Sequence, residues 1–242
     1  MSPVSLPATL AQQLAEALAG IALAQLVRPG CPVVFGSFLS NTDIQSGSPS
    51  FGTRESAIGV LWPGQTARRF GLPWCGSRGL NASQVVDAQA AYESLMTLLP
   101  AFLAGCNFVM HAAGWLEGGL VSCYEQFILD IELLRELRHM FTPLQLDEAA
   151  LAFDAHLEVG PGGHFLGASH TLERLRTCFY RPSLSSTENF DRWQRSGGRD
   201  ATARATELWR KTLTEYEPPP LQEAIREELE EFIARQPAEL GD

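Results

Sequence analysis

Three short apolar runs recur in this chain, each at the head of a loop and then a helix: PVVFGSF (residues 32–38), GLPWCG (71–76) and NFVMH (107–111). Their length, and their β-branched and aromatic content, suit strands buried on both faces. Strands that alternate with helices specify a parallel sheet, so the expected fold class is α/β. Helical composition is read over residues 6–27, 54–70, 84–104, 121–140, 147–157 and 221–235. Pro29-Gly30 stops the first of these, and Asp147 stands at a plausible cap of the fifth. The polar segment 39–53, with Gly47, Pro49 and Gly52, is longer than a bare connection needs and is therefore a candidate functional loop.

Ligands of parallel α/β proteins bind at the carboxyl ends of the strands. The stretch NFVMHAAGWLEGGLVSCYE (107–125) brings His111, Trp115, Glu117 and Tyr124 together at such an end. It is either a binding loop or a glycine-rich connection whose aromatics cap the core. After residue 159 the character changes to GPGGHFLGASHT (160–171), with His164, Phe165 and His170, and a further strand is expected near His164. The histidines 111, 139, 156, 164 and 170 include no helical i, i+4 pair and no HExxH, so a metal site is not indicated. No GxGxxG follows a strand, and neither a phosphate-cradling GxxxxGK[ST] nor a GxSxG elbow is present. What recurs at strand ends is aromatic and acidic density: Phe38, Trp74, Trp115, Tyr124 and Phe165, with Asp87 and Glu117. Aromatic faces around a carboxylate attract quaternary ammonium groups through the ring quadrupole, whereas any one of these rings alone reads equally as core.

A net charge of -10 gives no basic footprint for nucleic acid. Five scattered cysteines without a CxxC pair suit a reducing cytoplasm better than a disulfide framework. No apolar run is expected to reach bilayer-spanning length, and the N-terminus lacks the basic flank of a secretory signal. The expected organisation is residues 1–159 as βα units, with the glycine-rich loop and helical region 160–242 packed on the same domain.

GLPWCGSRGLNASQVVDAQAAYES (71–94), NFVMHAAGWLEGGLVSCYEQFILDIE (107–132) and VGPGGHFLGASHTLERLRTCFYRP (159–182) resemble the C-terminal half of the trimethylamine methyltransferase family. FDRWQRSGGRDATARA (190–205) and LTEYEPPPL (213–221) fit the same pattern. The resemblance implies a partial (β/α)8 TIM-type barrel, its C-terminal half with about three to four parallel strands, followed by a helical extension. It also implies transfer of a methyl group from a methylated amine to the cobalt of a corrinoid protein, the corrinoid being carried by that partner and not bound directly here. Archaeal members carry pyrrolysine, which by motif position falls near Arg78-Gly79; ordinary residues stand there, which favours the branch that demethylates quaternary amines such as glycine betaine.

In that reading His111 and Glu117 are the candidate catalytic residues. Phe38, Trp74, Arg78, Gln89, Trp115, Tyr124, His164 and Phe165 are the candidate substrate-binding residues, with His111, Trp115, Glu117, Tyr124, Trp74, Gln89 and Phe165 sharing one cavity. Glu117 supplies the counter-charge to the amine, unless the substrate brings its own carboxylate, in which case Arg78 or His111 is its partner. Too few strands for closure imply a homo-oligomer or a partner supplying an N-terminal half. The alternative is a catalytically silent half-barrel that binds an amine or scaffolds a partner.

Overall fold

The computed structural model describes residues 2–77 and 79–240. In chain order it contains α1 (Leu6–Val27), β1 (Phe35–Ser37), β2 (Asn41–Thr42), β3 (Pro49–Ser50), α2 (Arg54–Arg69), β4 (Trp74–Ser77), α3 (Ala88–Leu103) and β5 (Phe108–Met110). These are followed by β6 (Trp115–Leu116), β7 (Val121–Ser122), α4 (Tyr124–Met140), α5 (Glu148–Leu151), α6 (Phe153–Val159), α7 (Ser169–Arg174), α8 (Phe190–Arg195), α9 (Ala201–Thr214) and α10 (Glu223–Leu240). Two compact units divide the chain, Met1–Trp209 and Arg210–Asp242, and α10 belongs to the second.

The first unit is built on a parallel sheet of order β1-β4-β5, with Gly36 beside Cys75 and Cys75 beside Phe108. Period-two alternation gives this sheet two unlike faces. Phe35, Trp74 and Val109 turn to the helices, where Phe35 and Trp74 close a buried cluster with Val60, Ala67, Ala101 and Ala104. Leu14, Ala17 and Ile21 of α1 pack against its margin. Phe108 and Met110 turn the other way and stay 62% and 45% exposed. The helices start where capping chemistry places them: Thr53 accepts from the Ser56 amide at 3.3 Å and Asp87 from the Ala90 amide at 3.1 Å. Gly64 lets α2 approach closely, since a Cβ there would lie 2.8 Å from Ala104 and 3.0 Å from the Trp74 ring.

The three expected strands are present in shortened form, and α/β with a parallel sheet is the observed class. The strand expected near His164 is absent among the described residues. Gly160 and Gly162 there take positive φ (69° and 79°), and Phe165–Gly167 coil into a 3-10 turn. The helix expected over 147–157 breaks into α5 and α6 at Ala152, whose φ is 53°. The helix expected from residue 84 begins at Ala88, after the loop that ends in the Asp87 cap. Residues 121–122, expected as helix, pair with Trp115 and Leu116 as β7. Contrary to the run-length expectation, α1 is long and apolar enough by length and composition to cross a membrane, with mean hydropathy 1.3. Glu16 is the only charge in its 22 residues, so scattered glutamines break the apolar run without lowering the average much.

Candidate functional site

Each strand of the parallel sheet runs into a loop at its carboxyl end. The β1 loop folds into the β2–β3 hairpin, and the β5 loop into the β6–β7 hairpin. Between them lies the segment after β4, which begins at Gly79 with φ 91°. A Cβ on Gly79 would sit 2.5 Å from the carbonyl oxygen of His111, so glycine is what lets the two loops touch. Glu117, Gly118 and Gly119 all take positive φ (49°, 66° and 92°), which turns the chain back tightly from β6 to β7. Among the described residues only His111 (φ 55°), Glu117 and Ala152 take positive φ without being glycine. Such conformations persist where the surroundings enforce them, and two of the three fall on the residues singled out for chemistry.

His111 is exposed at the end of β5. Its Nδ1 lies 2.6 Å from the Ser77 hydroxyl at the end of β4, and its ring meets Trp115 edge-on at 5.4 Å. A cavity of about 530 Å3 opens beside it, lined at the strand ends by Phe38, Cys75, Ser77, Met110 and His111. Helix α1 supplies its other wall through Gln13 and Glu16. The Gln13 amide donates to the Ser37 hydroxyl at 2.7 Å, while its buried Oε1 has no hydrogen-bond partner among the described residues. Among the described residues Glu16 is the one carboxylate in this lining. Burial pushes the Cys75 thiol above its ordinary value, which keeps it protonated and poorly nucleophilic.

Glu117 and Gln89 line a second, more polar cavity of about 410 Å3 with Asp43, Ser46, Ser48 and Gln84. The Gln89 amide donates to Glu93 Oε1 at 3.0 Å, and the Glu117 amide to the Ser83 carbonyl at 2.8 Å. Asp43 is held below the usual carboxylate range by the hydroxyl and amide of Ser46. The two candidate catalytic residues thus line different cavities.

The remaining candidates disperse. Trp74 is a core residue, 1% exposed, so it offers no face to a substrate in this structure. Tyr124 stacks on Trp209 of α9 at 4.8 Å, and the Trp209 indole donates to Glu125 at 2.7 Å. Phe165 packs edge-on against His156 of α6 at 5.1 Å, and its 3-10 turn packs on α7. His164 is exposed at the start of that turn. Arg78 lies outside the described residues. Gln13 and Glu16 do not stand out in the sequence, because a long Ala/Leu helix reads as structural. Their signal was polar residues at i and i+3, hence on one face.

An exposed phenylalanine, a methionine, an imidazole and a carboxylate around an open strand-end cavity suit a small organic cation. Among the described residues no group of three or more His, Cys, Asp or Glu side chains is arranged to hold a metal ion. Comparison with known proteins bears on the same chemistry. The chain is 43% identical over 240 residues to a glycine betaine methyltransferase of Desulfitobacterium hafniense, covering 99% of this chain and 50% of that protein. It is 31% identical over 245 residues to a trimethylamine methyltransferase of the same species, covering 99% of this chain and 48% of the relative. A trimethylamine methyltransferase of Methanosarcina mazei is 30% identical over 232 residues, with 96% and 46% covered. The chain therefore spans about half the length of the curated relatives it matches. The family described as Trimethylamine methyltransferase (MTTB) matches residues 1–241, and this chain belongs to that family.

Proposed function

We propose that this chain is the C-terminal half of a methyltransferase that takes a methyl group from a quaternary amine and passes it to a corrinoid protein. The observation that carries the reading is the strand-end cavity in which Phe38, Met110, His111 and Glu16 converge. Similarity along nearly the whole chain to a glycine betaine methyltransferase supports the quaternary class. The parallel β1-β4-β5 sheet, helix-covered on one face and open on the other, is what part of a (β/α)8 barrel presents.

The corrinoid, when its carrier protein docks, supplies the nucleophile that accepts the methyl group. Fit to that partner rests on access: Phe38 and Met110 are 54% and 45% exposed, so the cavity mouth is open to a protein approaching from outside. The chain's own residues then bind and orient. The Phe38 face and the Glu16 carboxylate hold the cation, each well-placed ring contributing about 0.5–2 kcal/mol. His111, fixed through Nδ1 on Ser77, presents its other ring nitrogen, which can donate to a substrate carboxylate such as that of glycine betaine. A quaternary amine leaves as a neutral amine, so no proton need be delivered to it. His111 therefore acts by positioning rather than as acid or base, and Glu117, which lines the other cavity, lies apart from the cation.

Calorimetric titration of the chain with glycine betaine, choline and an uncharged isostere tests this. The charged members are expected to bind more tightly by about tenfold, a gap that Glu16→Gln removes. Equal affinities for charged and uncharged members leave the cation site without support. Repeating the titration with the N-terminal half supplied separates an incomplete site, which binds only in the mixture, from a silent scaffold, which binds in neither.

A further inference from the structure

Beneath the strand-end loops runs a chain of buried polar side chains that the reading above does not use. Asn81, Ser94, Gln126 and Asp130 are each 1% exposed or less. The Asn81 amide donates to the Trp115 carbonyl at 2.7 Å and to the Ser94 hydroxyl at 3.4 Å. The Gln126 amide donates to the same hydroxyl at 3.3 Å and to Asp130 Oδ1 at 2.8 Å. Asp130 Oδ2 in turn accepts from the Gly114 amide at 2.8 Å. The chain therefore begins and ends on one dipeptide, holding the Gly114 N–H at one end and the Trp115 C=O at the other.

That dipeptide is the hinge of the site. Gly114 has φ 91°, and a Cβ there would press on Phe127 at 3.3 Å, so the backbone is held where only glycine sits easily. Trp115 follows directly, and its ring meets His111. On the other side the Gly118 amide donates to the Asn81 carbonyl at 2.8 Å, which ties the β6–β7 hairpin to the same residue.

As a purely stabilising device this chain is poorly made. Among the described residues Asn81 Oδ1 and Gln126 Oε1 are buried without hydrogen-bond partners, and burial disfavours the charge on Asp130. Apolar side chains of the same size would fill the space without unpaired side-chain acceptors. What apolar side chains could not do is grip a particular N–H and a particular C=O.

We propose that Asp130, acting through Gln126, Ser94 and Asn81, is a positioning residue that sets the Gly114–Trp115 backbone and, through it, the His111–Trp115 arrangement. The functional weight of this inference rests on the amine-binding reading, but its structural content does not. The test compares Asp130→Asn, which keeps an acceptor for Gly114, with Asp130→Ala, which removes it, in the full chain. Amide hydrogen exchange is read at residues 114–118 against Val60 and Ala67 in the core, and the His111–Trp115 ring contact by NMR.

Asp130→Ala is expected to speed exchange at residues 114–118 by about tenfold or more while the core stays within about twofold, because the lost bond is local. The ring contact disappears, amine affinity falls by about tenfold, and Asp130→Asn restores all three. Uniformly faster exchange, or loops unchanged in Asp130→Ala, overturns the proposal. If Asp130→Ala does not fold, Gln126→Leu breaks the chain in its middle and must give the same selective loosening. If the wild-type chain binds no amine, the methyltransferase reading fails, while exchange and ring contact still decide this one.

Discussion

At the residue scale, the strongest constraint on the site is the space around single atoms. Gly79→Ala places a methyl group 2.5 Å from the His111 carbonyl at a φ of 91°. It is expected to destabilise the chain by about 2–3 kcal/mol and to disorder the β5 loop, read by urea denaturation and by the NMR signals of residues 111–117. Asp130 gives a sharper signature. Burial raises its carboxyl from the ordinary 3.8 to about 6, against the opposing hydrogen bonds of Gly114, Ser94 and Gln126. A carboxyl raised on folding favours the folded state most when protonated, below its ordinary value, and that advantage is lost as pH rises through about 6. The wild type is therefore expected to lose up to about 3 kcal/mol relative to Asp130→Asn between about pH 4 and pH 7.5, and parallel pH profiles of the two would refute this. His111 was legible in the sequence because a histidine followed an apolar run at a glycine-bearing break. Glu16, Gln13 and Asp130 were not, because residues on helices come to a strand-end site, or beneath it, only through packing.

At the element scale, two tryptophans predicted for the same role separate. Trp115 belongs to a hairpin at the strand ends, whereas Trp74 is the first residue of β4 and faces the helices. Trp74→Ala is expected to cost about 3–5 kcal/mol in the core. Phe38→Ala, at a half-exposed position, should leave the melting temperature nearly unchanged and weaken amine binding; the opposite pattern in thermal melts and titrations would reverse the assignment. The three strands were readable because short apolar runs between helices have few other uses. The hairpins were harder, since a two-residue strand leaves no period to detect. In WLEGGLV the Gly-Gly pair between apolar dipeptides is the available turn signal, and it is too short to distinguish from a loop that leads into a helix. The strand expected near His164 failed for the converse reason: an apolar dipeptide, Phe165-Leu166, cannot hold extended backbone beside glycines at positive φ.

At the scale of the whole molecule, the parallel sheet has two edges, on β1 and on β5, that are unpaired among the described residues. Open edges beside exposed apolar residues promote association. Light scattering of the 26.5 kDa chain is expected to show dimers or larger species that Phe108→Glu reduces, and a concentration-independent monomer would contradict this. The polar chain under the loops has an additional consequence for how such a protein is made. Its hydrogen bonds join residues 4 to 34 positions apart, all between Asn81 and Asp130. Closing loops of that size is entropically inexpensive compared with pairing distant strands. The loops after β4 and β5 can therefore acquire their shape on the ribosome as soon as α4 has emerged, before α9 and α10 are synthesised.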